Sequence, residues 1–122
     1  MKLLGFQRQV EKIYRQSSIF VFPSRVEGSA KSTYEAVASS LVQITTKDSG
    51  DVVMNGVNGI VIPSEDAGAL PAAILRLCEN QLLLTEMSMA GRKRAMNHFT
   101  LDHFRQRVRT AYRTVFAKNS LC

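Results

Sequence analysis

The chain has no tryptophan, and only three prolines, two histidines and two cysteines among its 122 residues. Cys78 sits inside a helical pattern and Cys122 at the terminus. They form neither a disulfide framework nor a metal-ligand spacing, and both read as reduced thiols. His98 and His103 have no carboxylate or cysteine cluster around them, so they read as surface histidines near a helix junction rather than as metal ligands. No Asp-x-Asp pair occurs. No apolar run approaches the roughly 20 residues of a membrane-spanning helix. The opening Met1-Lys2-Leu3-Leu4-Gly5-Phe6 starts like a secretory leader, but Gln7, Arg8 and Gln9 interrupt it. The expectation is a cytoplasmic chain, with peripheral membrane association left open. Repeats, low-complexity runs and interdomain linkers are also missing, so residues 1–122 read as one domain.

What the chain does have is 45% hydrophobic residues, enough for a packed core. It also has a net charge of +6 and an isoelectric point near 9.8. Such a balance suits nucleic acid, anionic lipid or anionic small molecules. Most of the excess lies in Arg92, Lys93, Arg94, Arg105, Arg107, Arg109 and Arg113, arginines alternating with apolar residues as on a solvated helix face. No aromatic platforms interleave with them, which argues against a nucleic-acid partner.

The chain is organised around Phe20 to Ser39. Ile19 to Phe22 is β-branched and aromatic, and Pro23 closes it, which predicts a strand. A polar loop containing Gly28 follows. Tyr34, Val37, Ala38 and Leu41 then recur at helical spacing, which predicts a helix from about Lys31 with those residues on its apolar face. A strand feeding a helix through a glycine-containing loop gathers free backbone N–H groups and the positive end of a helix dipole at one place, here beside the cation of Lys31. That combination favours an anion, typically a phosphate. Glu27 in the loop and Glu35 one turn inside the helix frame the place. By themselves they also read as ordinary solvated carboxylates, and Gly28 as a turn glycine.

Before this stretch, Gln7 to Ser17 puts Val10, Ile13 and Tyr14 on one side of an amphipathic helix. After it, Leu41 to Thr46 predicts a second strand and Ile60 to Ile62 a third, with turn signals at Asn55-Gly56 and Asn58-Gly59 between them. Strands separated by helical segments imply parallel βα units. Three helices complete the pattern. The first carries Ala69, Leu70, Ala73, Ile74 and Leu77 and is broken at Asn80. The second runs from about Leu82 to Met96, with its methionines as gap-fillers. The third is capped by Thr100 and bears a stripe of Leu101, Phe104, Val108, Ala111, Tyr112, Val115 and Phe116. The fold class is α/β, a Rossmann-like parallel sheet with flanking helices. Three short strands leave an open sheet edge.

The central stretch resembles the donor-binding domain of the retaining GT-B glycosyltransferases of the group 1, family 4 type. The likeness is carried by Pro23-Ser24, Glu27-Gly28, and Glu35-Ala36 with Ala38-Ser39, which span that family's Glu-x7-Glu signature. It continues through Asp51-Val52-Val53, the two Asn-Gly pairs, Pro63, Ala69-Leu70 and Ala72-Ala73-Ile74 to Phe99-Thr100. The resemblance implies the C-terminal half of a donor domain that transfers a sugar, of hexosyl type, from a nucleotide sugar to a glycan, lipid or other acceptor with retention. It assigns Glu27 to the donor sugar and its reacting centre, and the amides of Gly28, Ser29 and Ala30 to holding the sugar. The region of Lys31 and Ser32 falls to the diphosphate, and Glu35 to the ribose hydroxyls. It implies no metal and no cofactor beyond the substrate itself.

Four residues depart from the family pattern. Ala30 stands where glycine is common, and Ser40, Val42 and Gln43 replace the usual Gly, Pro and apolar residue. These changes support a rival reading, a noncatalytic interaction module that keeps the fold. On the glycosyltransferase reading, the family's acceptor domain and the basic residues of its upstream half-domain have no counterpart here. The chain is therefore expected to bind nucleoside diphosphates weakly if at all, to be inactive in isolation, and to self-associate through its open edge.

Overall fold

A computed structural model describes residues 1–27 and 30–119. Cys122, and Gly28 and Ser29, which the resemblance assigns to holding the sugar, lie outside the described residues. The chain runs α1 (Val10–Arg15), β1 (Ile19–Phe22), α2 (Lys31–Ala38), β2 (Val42–Thr46), a 3-10 turn (Lys47–Ser49), β3 (Gly59–Ile62), α3 (Ala69–Glu79), α4 (Gln81–His98) and α5 (Leu101–Asn119). The described strands form a parallel sheet in the order β1-β2-β3. Phe20 stands beside Gln43, which stands beside Gly59, and Val21 beside Ile44, which stands beside Ile60.

Because side chains alternate along a strand, this register sorts the sheet into two faces. On one, Val42, Ile44, Ile60 and Ile62 pack with Ala73 and Leu77 of α3 and Met87 of α4. On the other, Phe20 joins Leu41, Ala36 and Tyr14, so that α1 and α2 are held together. A third cluster of Val37, Val52 and Ala95 ties the second half of α4 to α2. Gly91 permits that approach, since a Cβ there would stand 3.1 Å from Val37 Cγ2. Each Leu or Ile buried in these clusters contributes about 1.5–3 kcal/mol.

Several expectations need correction. Ala38 is exposed, and the buried face of α2 is Thr33, Ala36 and Val37 instead. Helix α2 is only two turns long, so the i+4 continuation past Val37 falls beyond its end, where Leu41 packs from the following turn. The β2–β3 link holds only the 3-10 turn rather than an α-helix. It is stitched by asparagine side chains. Asn58, buried, accepts from Met54 N at 2.6 Å and donates to Val52 O at 3.0 Å, and Asn55 accepts from Val61 N at 3.0 Å. Gly59 has no room for a side chain, because a Cβ would fall 2.4 Å from the Gln43 carbonyl oxygen. Of the α4 methionines only Met87 fills the core, and Met89 and Met96 are exposed. The α5 stripe exists, but Leu101, Phe104, Tyr112, Val115 and Phe116 are all exposed and Val108 only half-buried, so most of it stays uncovered by the described residues.

Two of the departures acquire a physical meaning. Ser40 adopts φ 66°, a left-handed conformation, just past the end of α2. Its N–H donates to Val37 O at 3.1 Å, and Leu41 N donates to Ala36 O at 3.0 Å. This is the Schellman arrangement that favours glycine at that position. Gln43 is fully buried. It donates to Thr33 O at 2.8 Å, and its side-chain oxygen has no partner. Replacing Ser40 by glycine relieves the left-handed strain at the cost of greater freedom in the unfolded chain. Ser40→Gly is therefore expected to stabilise the protein by about 0.5–1 kcal/mol. Urea denaturation measures this, and a loss of stability would show that the strain is not borne at Ser40.

Candidate functional site at the end of strand β1

Strand β1 delivers the chain to the loop at the C-terminal edge of the sheet, and hydroxyls on the neighbouring strand and turn hold that loop. The Thr46 and Ser49 side chains lie 2.8 Å apart. They share their two protons between each other, the Ser24 carbonyl and the Phe22 carbonyl, the last at 3.0 Å from Ser49 Oγ. Glu27 N donates to Asp48 O at 2.9 Å. The Asp48 carboxylate in turn accepts from Ser64 at 2.9 Å. Arg25, Val26 and Glu27 are left exposed on a backbone tied from beneath.

Helix α2 opens at Ala30, which has extended backbone (φ −86°, ψ 124°) and no side chain able to cap. Thr33 N and Thr33 Oγ1 both donate to the Ala30 carbonyl, at 3.1 and 2.6 Å. The first turn contains no acidic residue. Among the described residues no side chain caps the amides at Lys31 and Ser32, and no acidic residue of the first turn offsets the positive end of the helix dipole. Lys31 is exposed and pairs with Glu35 at 3.2 Å. Its ammonium therefore turns back along the helix rather than over the loop.

Glu35 is where the geometry adds most to the sequence. Its carboxylate pairs with Lys31 at 3.2 Å, and its negative charge acts on the hydroxyl of Tyr14 in α1. Burial raises the Tyr14 hydroxyl above the usual tyrosine value of 10.0. The negative charges of Glu35 and Glu11 push it further the same way. The structure thus brings Ala30, Lys31, Ser32 and Glu35 together on one helix, with Glu27 on the loop before it. Two contributors escape a sequence reading. Tyr14 reads as a core residue of α1, and Thr46 as a β-branched strand residue. Their partners lie far along the chain, and no local spacing signals them.

Elsewhere, a pocket of about 480 Å³ lined by Lys31, Tyr34, Phe99, Thr100, Leu101 and Phe104 adjoins the start of α2. Another of about 550 Å³, lined by His98, His103 and Arg107 among others, flanks α5 away from the loop. Among the described residues no three His, Cys, Asp or Glu side chains gather in a way that could hold a metal ion. Among the same residues no helix is long and apolar enough to cross a membrane.

The profile of the family described as Glycosyl transferases group 1 matches residues 1–80, a span that contains the loop, α2 and all three strands. The chain belongs to the group 1 glycosyltransferases. It is 32% identical over 109 residues to the capsular polysaccharide biosynthesis glycosyltransferase CapM of Staphylococcus aureus, covering 88% of this chain and 28% of that protein. It is 27% identical over 112 residues to the UDP-Gal:alpha-D-GlcNAc-diphosphoundecaprenol alpha-1,3-galactosyltransferase of Escherichia coli, covering 90% of this chain and 29% of that one. The solved structure of Anabaena Alr3699/HepE in complex with UDP-glucose superposes with a TM-score of 0.83 at 18% identity, over 91% of this chain and 31% of that chain. A sucrose-phosphate synthase from Thermosynechococcus elongatus gives 0.78 at 25% identity, over 89% and 28%. The group 1 chain thus has the parallel sheet and flanking helices of GT-B glycosyltransferases, and it spans little more than a quarter of the length of its curated relatives. Relatives named as glycosyltransferases do not favour the rival reading of a noncatalytic module.

The effect of the Glu35 charge on Tyr14 makes a prediction about pH. With its folded value raised, Tyr14 contributes stability that is fully present below the unfolded value near 10.0 and is lost as pH rises through the higher folded value. Glu35→Gln removes a charge and should move the Tyr14 ionisation down, shrinking the alkaline loss. Ultraviolet titration, with Tyr14→Phe subtracted to remove Tyr34 and Tyr112, checks this. An unmoved curve would mean that burial and the charge of Glu11 set the shift without Glu35.

Proposed function

We propose that this chain is the nucleotide-sugar-holding part of a retaining glycosyltransferase, with the donor lying across the β1–α2 loop. The observation that carries the reading is the start of α2, which no described side chain caps, with Lys31 and Glu35 on its first turns, at the C-terminal edge of a parallel sheet. Ligands of open α/β sheets gather at that edge. The diphosphate would meet the amides at Lys31 and Ser32. The Lys31 ammonium would swing from Glu35 to reach it, and this is a small change because an exposed ion pair contributes little. A carboxylate accepts two hydrogen bonds from a vicinal diol, so Glu35 would take the ribose hydroxyls.

Glu27 would face the donor sugar, with Gly28, Ser29 and Ala30 beside it. In the transfer the bond from the anomeric carbon to the diphosphate oxygen breaks, and its electron pair leaves with the nucleoside diphosphate. A bond to the acceptor oxygen forms as the acceptor hydroxyl loses its proton. Positive charge growing at the anomeric carbon would be stabilised by Glu27, and negative charge on the leaving diphosphate by the helix amides, without a metal. A hexose as the sugar, a glycan or lipid as the acceptor, and a site on the cytoplasmic side, peripheral to the membrane, complete the proposal. They draw support from relatives whose names place them in polysaccharide biosynthesis or assign them a UDP-galactose donor and a diphosphoundecaprenol acceptor. Residues 1–122 would be one partial donor-binding domain.

Amide NMR titration of the chain with UDP and UDP-glucose tests the reading. Shifts are expected at residues 30–36, saturating in the millimolar range. Glu35→Ala should weaken both ligands alike, by about tenfold, the loss of a charged hydrogen-bonding partner. Glu27→Ala should leave UDP unchanged and remove the extra affinity of UDP-glucose. No shift at these amides would reject the site, and submicromolar binding would show that nothing outside this chain is needed to complete it.

The open edge carries a second part of the proposal. Among the described strands β1 pairs on one side only, and the α5 stripe is uncovered. In isolation the chain would pair with a second copy through these surfaces. Repulsion from the +6 charge is screened beyond about 8 Å at physiological salt, whereas edge pairing and apolar burial act at contact. Sedimentation at micromolar concentration and moderate salt is expected to give a dimer or larger species, and a folded monomer would overturn this.

A further inference from the structure

The loop that carries Glu27 takes its position from the turn after β2. Phe22 O meets the Ser49 hydroxyl at 3.0 Å, Ser24 O meets the Thr46 hydroxyl, and Glu27 N donates to Asp48 O at 2.9 Å. Where the turn Lys47–Ser49 goes, the backbone of Glu27 goes with it. That turn is weakly fixed by its own backbone. It is three residues of 3-10 helix, no described side chain caps its start, and it ends at Gly50 with φ 97°, where a glycine moves at little cost. Its outer side is restrained by the β3–α3 loop, from which the Ser64 hydroxyl donates to Asp48 Oδ2 at 2.9 Å. Both residues are half-buried, so water competes less for this bond than it would at the surface. Ser64 is itself a stiff anchor. Pro63 before it has a fixed φ, and Asp66 after it ties down the start of α3, accepting from Gly68 N at 2.9 Å and Ala69 N at 3.2 Å.

We propose that Ser64 and Asp48 are positioning residues for Glu27. The Ser64 hydroxyl holds the Asp48 carboxylate, and the Asp48 carbonyl holds the Glu27 amide, so the third loop of the sheet edge sets where the Glu27 side chain starts before a sugar arrives. The inference rests on the assignment of Glu27 to the donor sugar made above, and deepens it. A carboxylate that stabilises charge growing at one atom must already stand in place, and a donor that has to order the loop first loses affinity in doing so. Nothing in the chain assigns the diphosphate to this linkage, which ends at Glu27 and does not include the amides at Lys31 and Ser32.

Two readouts on the 122-residue chain test this. The first is hydrogen exchange at the Glu27 amide, which Ser64→Ala should speed about fivefold, the worth of one hydrogen bond, while the amides of β2 stay unchanged. An unchanged rate at Glu27 overturns the inference, and so does a general acceleration across the sheet, because the serine then serves the fold alone. The second is the affinity of UDP-glucose relative to UDP, by amide NMR titration. Wild type should favour UDP-glucose by about tenfold, the contribution of one charged hydrogen-bonding partner, and Glu27→Ala should abolish the preference. Ser64→Ala and Asp48→Ala should each cut it to about threefold or less with UDP itself unchanged. Asp48→Asn keeps an acceptor for Ser64 and should stay near wild type; a drop equal to that of Asp48→Ala would trace the effect to the charge of Asp48 and overturn the inference. Adding Ser64→Ala to Asp48→Ala should change nothing more, and a further loss would show that Ser64 acts by another route and overturn it too. An unchanged preference in both alanine variants, or equal weakening of the two ligands, overturns the inference and leaves the assignment of Glu27 standing. If wild type shows no preference, if neither nucleotide binds at millimolar concentration, or if Glu27→Ala keeps the preference, the assignment of Glu27 falls and the inference with it.

Discussion

Strand β2 is buried along its whole length, and its sequence Val42-Gln43-Ile44-Thr45-Thr46 is not all apolar. A buried polar group costs free energy unless it finds a partner, and in a strand flanked on both sides the backbone groups are already paired. The side chains must therefore reach beyond the sheet. Thr46 reaches the Ser24 carbonyl and Ser49, and Gln43 reaches the Thr33 carbonyl in α2. The loop after β1 and the helix after that loop are thereby both fastened to the same strand. What makes the strand awkward to bury is also what orients the candidate site above it.

The residues that depart from the family pattern fall along this line of support. Ala30 caps α2 with backbone alone, leaving the first-turn amides to whatever lies in front of them. Ser40 takes a left-handed conformation to end the same helix. Gln43 satisfies its nitrogen and leaves its oxygen unpartnered. None of the three removes a group from the proposed site. Each changes how firmly α2 is held, so their effects belong to stability and pre-organisation more than to chemistry.

The extent to which the fold was legible in the sequence follows from how local each signal is. The strand at Ile19–Phe22, the helix start at Lys31 and the break at Asn80 were all readable, because proline, β-branching and capping act over a few residues. The buried face of α2 was misread, since a two-turn helix gives periodicity too few residues to work on. The turns between β2 and β3 were readable from the two Asn-Gly pairs, but not that asparagine side chains satisfy the backbone of this link, because that depends on contacts made after folding. At the site, Glu27, Ala30, Lys31, Ser32 and Glu35 were legible as one linear motif. Tyr14 and Thr46 were not, because their work is done on groups remote in the chain.

Helix α5 is joined to the rest through Thr100, which caps it by way of His103, and through Arg107, which donates to the His98 carbonyl at 3.1 Å. Its stripe is mostly exposed, so its helicity rests mainly on local hydrogen bonds, without the packing of an apolar face from which most helical stability in proteins comes. The protein then has two cooperative units. The sheet with its packed helices opens at the global unfolding free energy, while α5 can fray and re-form for far less, and its amides exchange with solvent on a separate, faster clock.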